Sequence, residues 1–102
     1  MAEEPWQRVE LAPDGRAVIA CEAGAIAVFS VDGRLHAVSN ACPHEGNPLV
    51  EGDVLGTTLV CAFHGWRFDL ETGACLLGER RVRVHPVEER EGEVWVCLTP
   101  TA

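Results

Sequence analysis

Short apolar runs divided by turn signals set the pattern of this chain. Arg16–Glu22 (RAVIACE) and Ala25–Val31 (AIAVFSV) are apolar and rich in β-branched residues, which suits a half-buried pleated surface. Asp32-Gly33 follows the second run and leads into Arg34–Ser39 (RLHAVS). Two apolar runs split by Asp-Gly predict a hairpin, because both turn positions tolerate positive φ. Thr57–Ala62 (TTLVCA) predicts a further strand. Arg81–Glu89 (RVRVHPVEE) alternates, with Val82 and Val84 on one face and Arg81, Arg83 and His85 on the other. Arg90–Glu93 turns the chain, and Val94–Leu98 (VWVCL) closes it. No segment holds a 3.6-residue period over three turns, so little helix is expected. Many short strands with turns between them predict an all-β fold, a small antiparallel sandwich or barrel. The stretch from Ala41 to about Gly73 interrupts this pattern with Pro43, Gly46, Pro48, Gly52, Gly56, Gly65 and Gly73. It reads as loops inserted on the β base, where sites tend to sit. Thr72-Gly73 would then reverse the chain back to that base.

Size and composition narrow the picture. The 102 residues suit one domain, 1–102, with no room for a second core. No apolar run approaches the ~20 residues that span a bilayer. The acidic start MAEEPWQRVE does not resemble a secretory signal, so the expected setting is cytoplasmic and reducing, with no membrane partner. Sixteen acidic residues against eight basic ones leave a net charge of −8, which argues against nucleic acid. The charge is compatible with docking onto a basic patch of a protein partner, and equally with plain solubility. All eight basic residues are Arg, and the five cysteines form an odd number. In a reducing compartment that favours metal ligation over a disulfide framework.

The chemistry concentrates in ACPHEGNPLVEGDVLGTTLVCAFHGW, from Ala41 to Trp66. Cys42-x-His44 is followed after sixteen residues by Cys61-x-x-His64. Each pair supplies one thiolate and one imidazole, so two short loops can approach a metal from two sides. A Cys₂His₂ set can close a tetrahedral zinc site. Zinc fingers, however, pair Cys with Cys and His with His, whereas here each pair is mixed. A nucleophilic Cys–His pair would explain one Cys and one His without their duplication. An iron–sulfur cluster accounts for both pairs.

The spacing, together with CPHEG and CAFHGWRF, resembles that of Rieske [2Fe–2S] proteins, and the resemblance covers nearly the whole chain. It implies a β base with an inserted cluster-binding loop subdomain at about 41–73. It also implies one [2Fe–2S] cluster per chain, with Cys42 and Cys61 on one iron and His44 and His64 on the other. High-potential members of the family carry an extra disulfide-bonded cysteine in each loop, and the matching positions here are Asn47 and Phe63. Where those members place hydroxyl donors, this chain has Trp66 and Phe68. The missing donors imply a potential at the low end of the Rieske range, near roughly −150 mV.

The resemblance further implies a ferredoxin that carries electrons and converts no substrate itself. A flavoprotein reductase would be its donor and a terminal oxygenase, or another oxidoreductase, its acceptor. The alternatives are the small Rieske subunit of an NAD(P)H nitrite reductase and a zinc-stabilised binding module. Among the other residues, Pro43, Gly46 and Gly65 read as backbone shapers and Trp66 and Phe68 as packing or cover for the cluster. Pro48 and Leu49 would shield it from water. Cys21 and Cys97 read as small buried hydrophobes and Cys75 as structural. His36 and His85 read as surface or hydrogen-bonded structural residues.

Overall fold

The Asp32-Gly33 hairpin forms as the pattern predicts. Both residues hold positive φ, 50° and 81°, and the flanking strands close on the pair Val31↔Arg34. A second turn of the same kind, at Glu91 (φ 52°) and Gly92 (φ 82°), joins the last two strands through Arg90↔Glu93. The computed structural model describes residues 6–21, 24–41, 48–62, 65–76 and 80–100. Its strands are β1 (Trp6–Val9), β2 (Arg16–Cys21), β3 (Gly24–Val31), β4 (Arg34–Ser39), β5 (Asp53–Leu55), β6 (Thr58–Val60), β7 (Arg67–Asp69), β8 (Val87–Arg90) and β9 (Glu93–Cys97). A 3₁₀ turn at Leu49–Glu51 is the one helical element among the described residues. No helix there is long and apolar enough to cross a membrane.

Among the described residues all strand pairing is antiparallel, in three sheets ordered β1-β9-β8, β2-β3-β4 and β5-β6-β7. The chain is thus all-β. The stretch read as inserted loops contains the small sheet β5-β6-β7; β6 lies within the strand expected at Thr57–Ala62, while β5 and β7, of three residues each, show no period in the sequence. Bridges Phe68↔Cys75 and Ala74↔Arg81 extend that meander. Val38↔Val84 then joins it to β4, supported by Ser39 N–H to Arg83 O (2.9 Å) and His85 N–H to Ala37 O (2.8 Å).

The stretch Arg81–Glu89 is not one strand. Residues 81–85 stitch the small sheet to β4, and ladder pairing resumes only at Val87. Pro86 lies at the break, where it has no N–H to give a ladder. Its carbonyl instead accepts from Cys97 N–H at 2.8 Å.

β3 is buried on both faces from Ile26 to Phe29, because apolar layers cover it on each side. On one face Ala27, Phe29 and Val38 pack with Leu49, Leu59, Phe68 and Leu70. On the other, Ile26, Val28 and Ala37 pack with Val9 and Val96. Full burial of each Val, Leu, Ile or Phe side chain among them contributes about 1.5–3 kcal/mol. The first of these layers binds the small sheet to the base.

Candidate metal centre

Cys61 leaves β6 directly and is buried at 1% exposure, with its thiol free. Its N–H donates to Trp66 O at 2.7 Å, and its carbonyl accepts from Gly65 N–H at 3.0 Å. These bonds pinch the second Cys–His loop shut at its base. Gly65 stands at φ +71°, a conformation that glycine adopts without steric cost.

The first loop is also tied at its ends. Asn40 N–H donates to Ala25 O at 2.9 Å, and Asn40 Oδ1 accepts from Val50 N–H at 2.7 Å. These contacts hold together the chain before residue 42 and the chain after residue 47. Pro48 is half-buried and Leu49 fully buried, so the 3₁₀ turn is anchored in the core.

The two necks meet at Gly52. A Cβ on this residue would lie 2.2 Å from Val60 O, so only glycine fits without a backbone shift. The turn that leaves the first loop therefore rests on the residue before Cys61. Arg16 fixes this junction from β2. Its Nη1 donates to Val50 O at 2.7 Å and Gly52 O at 2.6 Å, and its guanidinium lies 5.3 Å from the Phe29 ring centroid. Arg16 and Asn40 escape a sequence reading. Neither belongs to a motif, and two of Arg16's acceptors are backbone carbonyls 34 and 36 residues away.

Of the four expected ligands, Cys61 is within the described residues, while Cys42, His44 and His64 lie outside them. Pro43, Gly46, Asn47 and Phe63 lie outside them too, as does the side chain of Cys21. A thiolate at the dry position of Cys61 needs a cationic counterpart, and a metal ion meets that need. The free buried thiol at the base of a closed loop therefore fits a cysteine-ligated centre.

Phe68 is fully buried and Trp66 half-buried against the same layer. The guanidinium of Arg80 lies 5.8 Å from the Trp66 ring centroid. Cys75 and Cys97 are buried free thiols, and Cys97 is thus the buried small hydrophobe expected of it.

His36 and His85 are both buried, so neither is a surface residue. His85 Nδ1 is 3.0 Å from Cys97 O. A carbonyl only accepts, so Nδ1 carries the proton. Burial, aided by Arg83, pushes the His85 pKa below the usual histidine value, against the opposing pull of the Cys97 hydrogen bond. His36 departs from the expected bonded role: its Nε2 is buried and finds no hydrogen-bond partner among the described residues. Burial lowers its pKa as well; Arg34 adds to that, while Glu71 and Asp69 oppose it.

Known proteins share this architecture. The chain is 40% identical over 83 residues to the 4beta-methylsterol monooxygenase of Methylococcus capsulatus, a match covering 70% of this chain and 22% of that protein. It spans about a fifth or less of the curated relatives it matches first. Some solved structures match more evenly in length. A chain from the complex of reduced oxygenase and oxidized ferredoxin in carbazole 1,9a-dioxygenase has a TM-score of 0.86 at 26% identity, covering 98% of this chain and 99% of that one. The ferredoxin of carbazole 1,9a-dioxygenase from Nocardioides aromaticivorans gives 0.79 at 26% identity, over 90% and 96%. A putative NADH-dependent nitrite reductase small subunit from Mycobacterium tuberculosis gives 0.81 at 25% identity, over 98% and 100%. The Rieske [2Fe-2S] domain model matches residues 6–88, from the first strand into β8. With that span matched and a buried free cysteine at the closed second loop, the chain belongs to the Rieske [2Fe–2S] domain family, whose cofactor is the [2Fe–2S] cluster.

Proposed function

We propose that this chain is a one-electron carrier of the Rieske ferredoxin type, working in the cytoplasm between a flavoprotein reductase and a terminal oxygenase. The observation that carries this reading is its near end-to-end match, in both directions, to a chain of the oxygenase–ferredoxin complex. Cys42 and Cys61 would hold one iron, and His44 and His64 the other. The bound cluster supplies a one-electron couple, with a potential raised by neutral imidazoles relative to an all-cysteine set.

The chain's own residues do the rest. Arg16, Asn40 and Gly52 hold the two loop necks against each other. Cys61 is kept dry by its burial. Phe68, fully buried and without a hydroxyl, gives no hydrogen bond toward the site, which supports a potential at the low end of the range. The carrier converts no substrate of its own.

The test is purification of the holoprotein. A reddish-brown protein with equal iron and acid-labile sulfide, and a reduced-state paramagnetic signal averaging below the free-electron value, is expected. His64→Ala should abolish the visible spectrum. A colourless, zinc-loaded chain, or a His64→Ala variant with unchanged spectrum and midpoint, would overturn the reading. The likeness to a nitrite reductase small subunit supports a second reading. A stable stoichiometric complex with a large reductase subunit on gel filtration would favour it over a mobile carrier.

A further inference from the structure

Apart from Arg80, which lies over the Trp66 ring, the arginines divide into two groups. Those of the base are engaged: Arg8 pairs with Glu93 at 3.1 Å, Arg34 with Glu71 at 3.6 Å, and Arg90 with Glu88, while Arg16 donates to two carbonyls. On the small sheet and its link to β4, Arg67, Arg81 and Arg83 are exposed. Among the described residues none of these three makes an ion pair, and Arg81 gives one bond to Thr72 O at 2.7 Å.

Register places these three on one face. Val60 pairs with Arg67, Phe68 with Cys75, and Ala74 with Arg81. Leu59, Phe68, Cys75 and Val82 point into the core, so Arg67, Leu76, Arg81 and Arg83 alternate outward. Leu76 N–H bonds to Arg67 O at 2.8 Å, which makes these two neighbours. Leu76 is 54% exposed and Leu55, at the far corner of the same face, 65%. Arg81 and Arg83 also line a groove of about 280 Å³ with Ser39, Ala41 and Pro100. Among the described residues the acids on this face are Asp53, on the edge strand, and Asp69, whose Oδ1 accepts from Glu71 N–H at 2.7 Å.

In sequence this strip adjoins the described ends of both ligand loops. Arg67 follows the Cys61–Trp66 neck, and Ala41 precedes Cys42. We propose that the outer face carrying Arg67, Leu76, Arg81 and Arg83 is the docking surface for an acidic-surfaced redox protein, the arginines meeting carboxylates and Leu76 an apolar spot. The inference rests on the electron-carrier reading and names the partner chemistry of that same site. It differs from the basic partner patch with which the net charge is also compatible. Steering depends on the local field at the contact as well as on total charge. A long polyanion such as nucleic acid would meet the net charge of −8 over the rest of the chain.

The test uses the reduced holoprotein in stopped flow, with plastocyanin as an acidic acceptor and cytochrome c as a basic one. The variant R67E/R83E is compared with R8E/R34E, which changes the net charge equally. Transfer to plastocyanin at low ionic strength should slow about threefold or more in R67E/R83E relative to R8E/R34E. The gap should close as salt is raised, and transfer to cytochrome c should be no slower in R67E/R83E than in R8E/R34E. Equal slowing of plastocyanin transfer by the two pairs would overturn the docking surface. R67Q/R83Q against R8Q/R34Q decides the same question should charge reversal disturb folding. A wild-type protein without a cluster spectrum would instead sink the carrier reading.

Discussion

Replacing Gly52 with alanine isolates the contact that joins the two loop necks. Gly52 has φ −78°, which alanine adopts freely, so the change carries no backbone penalty. The cost is steric: the new Cβ would sit 2.2 Å from Val60 O and 3.2 Å from Leu49 O. Carbon–oxygen contacts in proteins normally begin near about 3.3 Å, so the Val60 contact is short by about 1 Å. Both offending atoms are backbone, and no rotamer can relieve them. Arg16 holds the Gly52 carbonyl, and the Cys61–Trp66 bond holds the chain just beyond Val60. One segment must therefore move, at the overpacking cost of about 1–3 kcal/mol. For a domain of this size each kcal/mol lowers Tm by roughly 4–8 °C. Because the displaced segments lead to both ligand loops, iron content per chain should fall along with Tm. The assay is urea unfolding followed by circular dichroism, with iron analysis of the purified variant. An alanine variant within about 0.5 kcal/mol of wild type and with full iron content would refute the close approach and the joined-neck argument built on it.

Two further outcomes follow from the same structure. Arg16→Ala should cost about 1.5–3 kcal/mol, the range for hydrogen bonds to a charged group, and Arg16→Lys should recover part of it by keeping one donor; urea midpoints at constant m-value measure both. His85 is held below the usual histidine pKa by burial. Below about pH 6.5 the unfolded chain binds a proton that native His85 does not. Its contribution is thus fully present above that pH and is lost as pH falls toward the depressed native value. His85→Asn keeps a donor for Cys97 O while removing the titration, so its stability should fall less steeply than wild type between pH 7.5 and about 5.5; parallel profiles would contradict this.

The legible parts of the fold were those with local signals. Asp32-Gly33 between two apolar runs specified β3 and β4, because a two-residue turn with positive φ needs those residue types. The alternation at Val82 and Val84 marked inward residues, although Pro86 prevented a continuous strand. β1, β5 and β7 carry no such signal: each is three or four residues long and includes a charged position, so no apolar run stands out, whereas β6 shows within the apolar run Thr57–Ala62. His36 and His85 looked like surface or bonded residues. Their burial comes from layers supplied by distant segments, which no local pattern records.

At the candidate centre, the sequence alone supplies the expected donor set, because paired Cys and His spacing is local chemistry written within a few residues. What supports those donors was decided by tertiary structure. Arg16 reaches carbonyls 34 and 36 residues away, and Gly52 matters only because Val60 O lies against it. Backbone carbonyls are the same at every position, so a sequence cannot show which ones an arginine will find. The gathering of Arg67, Arg81 and Arg83 on one outer face likewise exists only after strand register is set, since register assigns each side chain to a face.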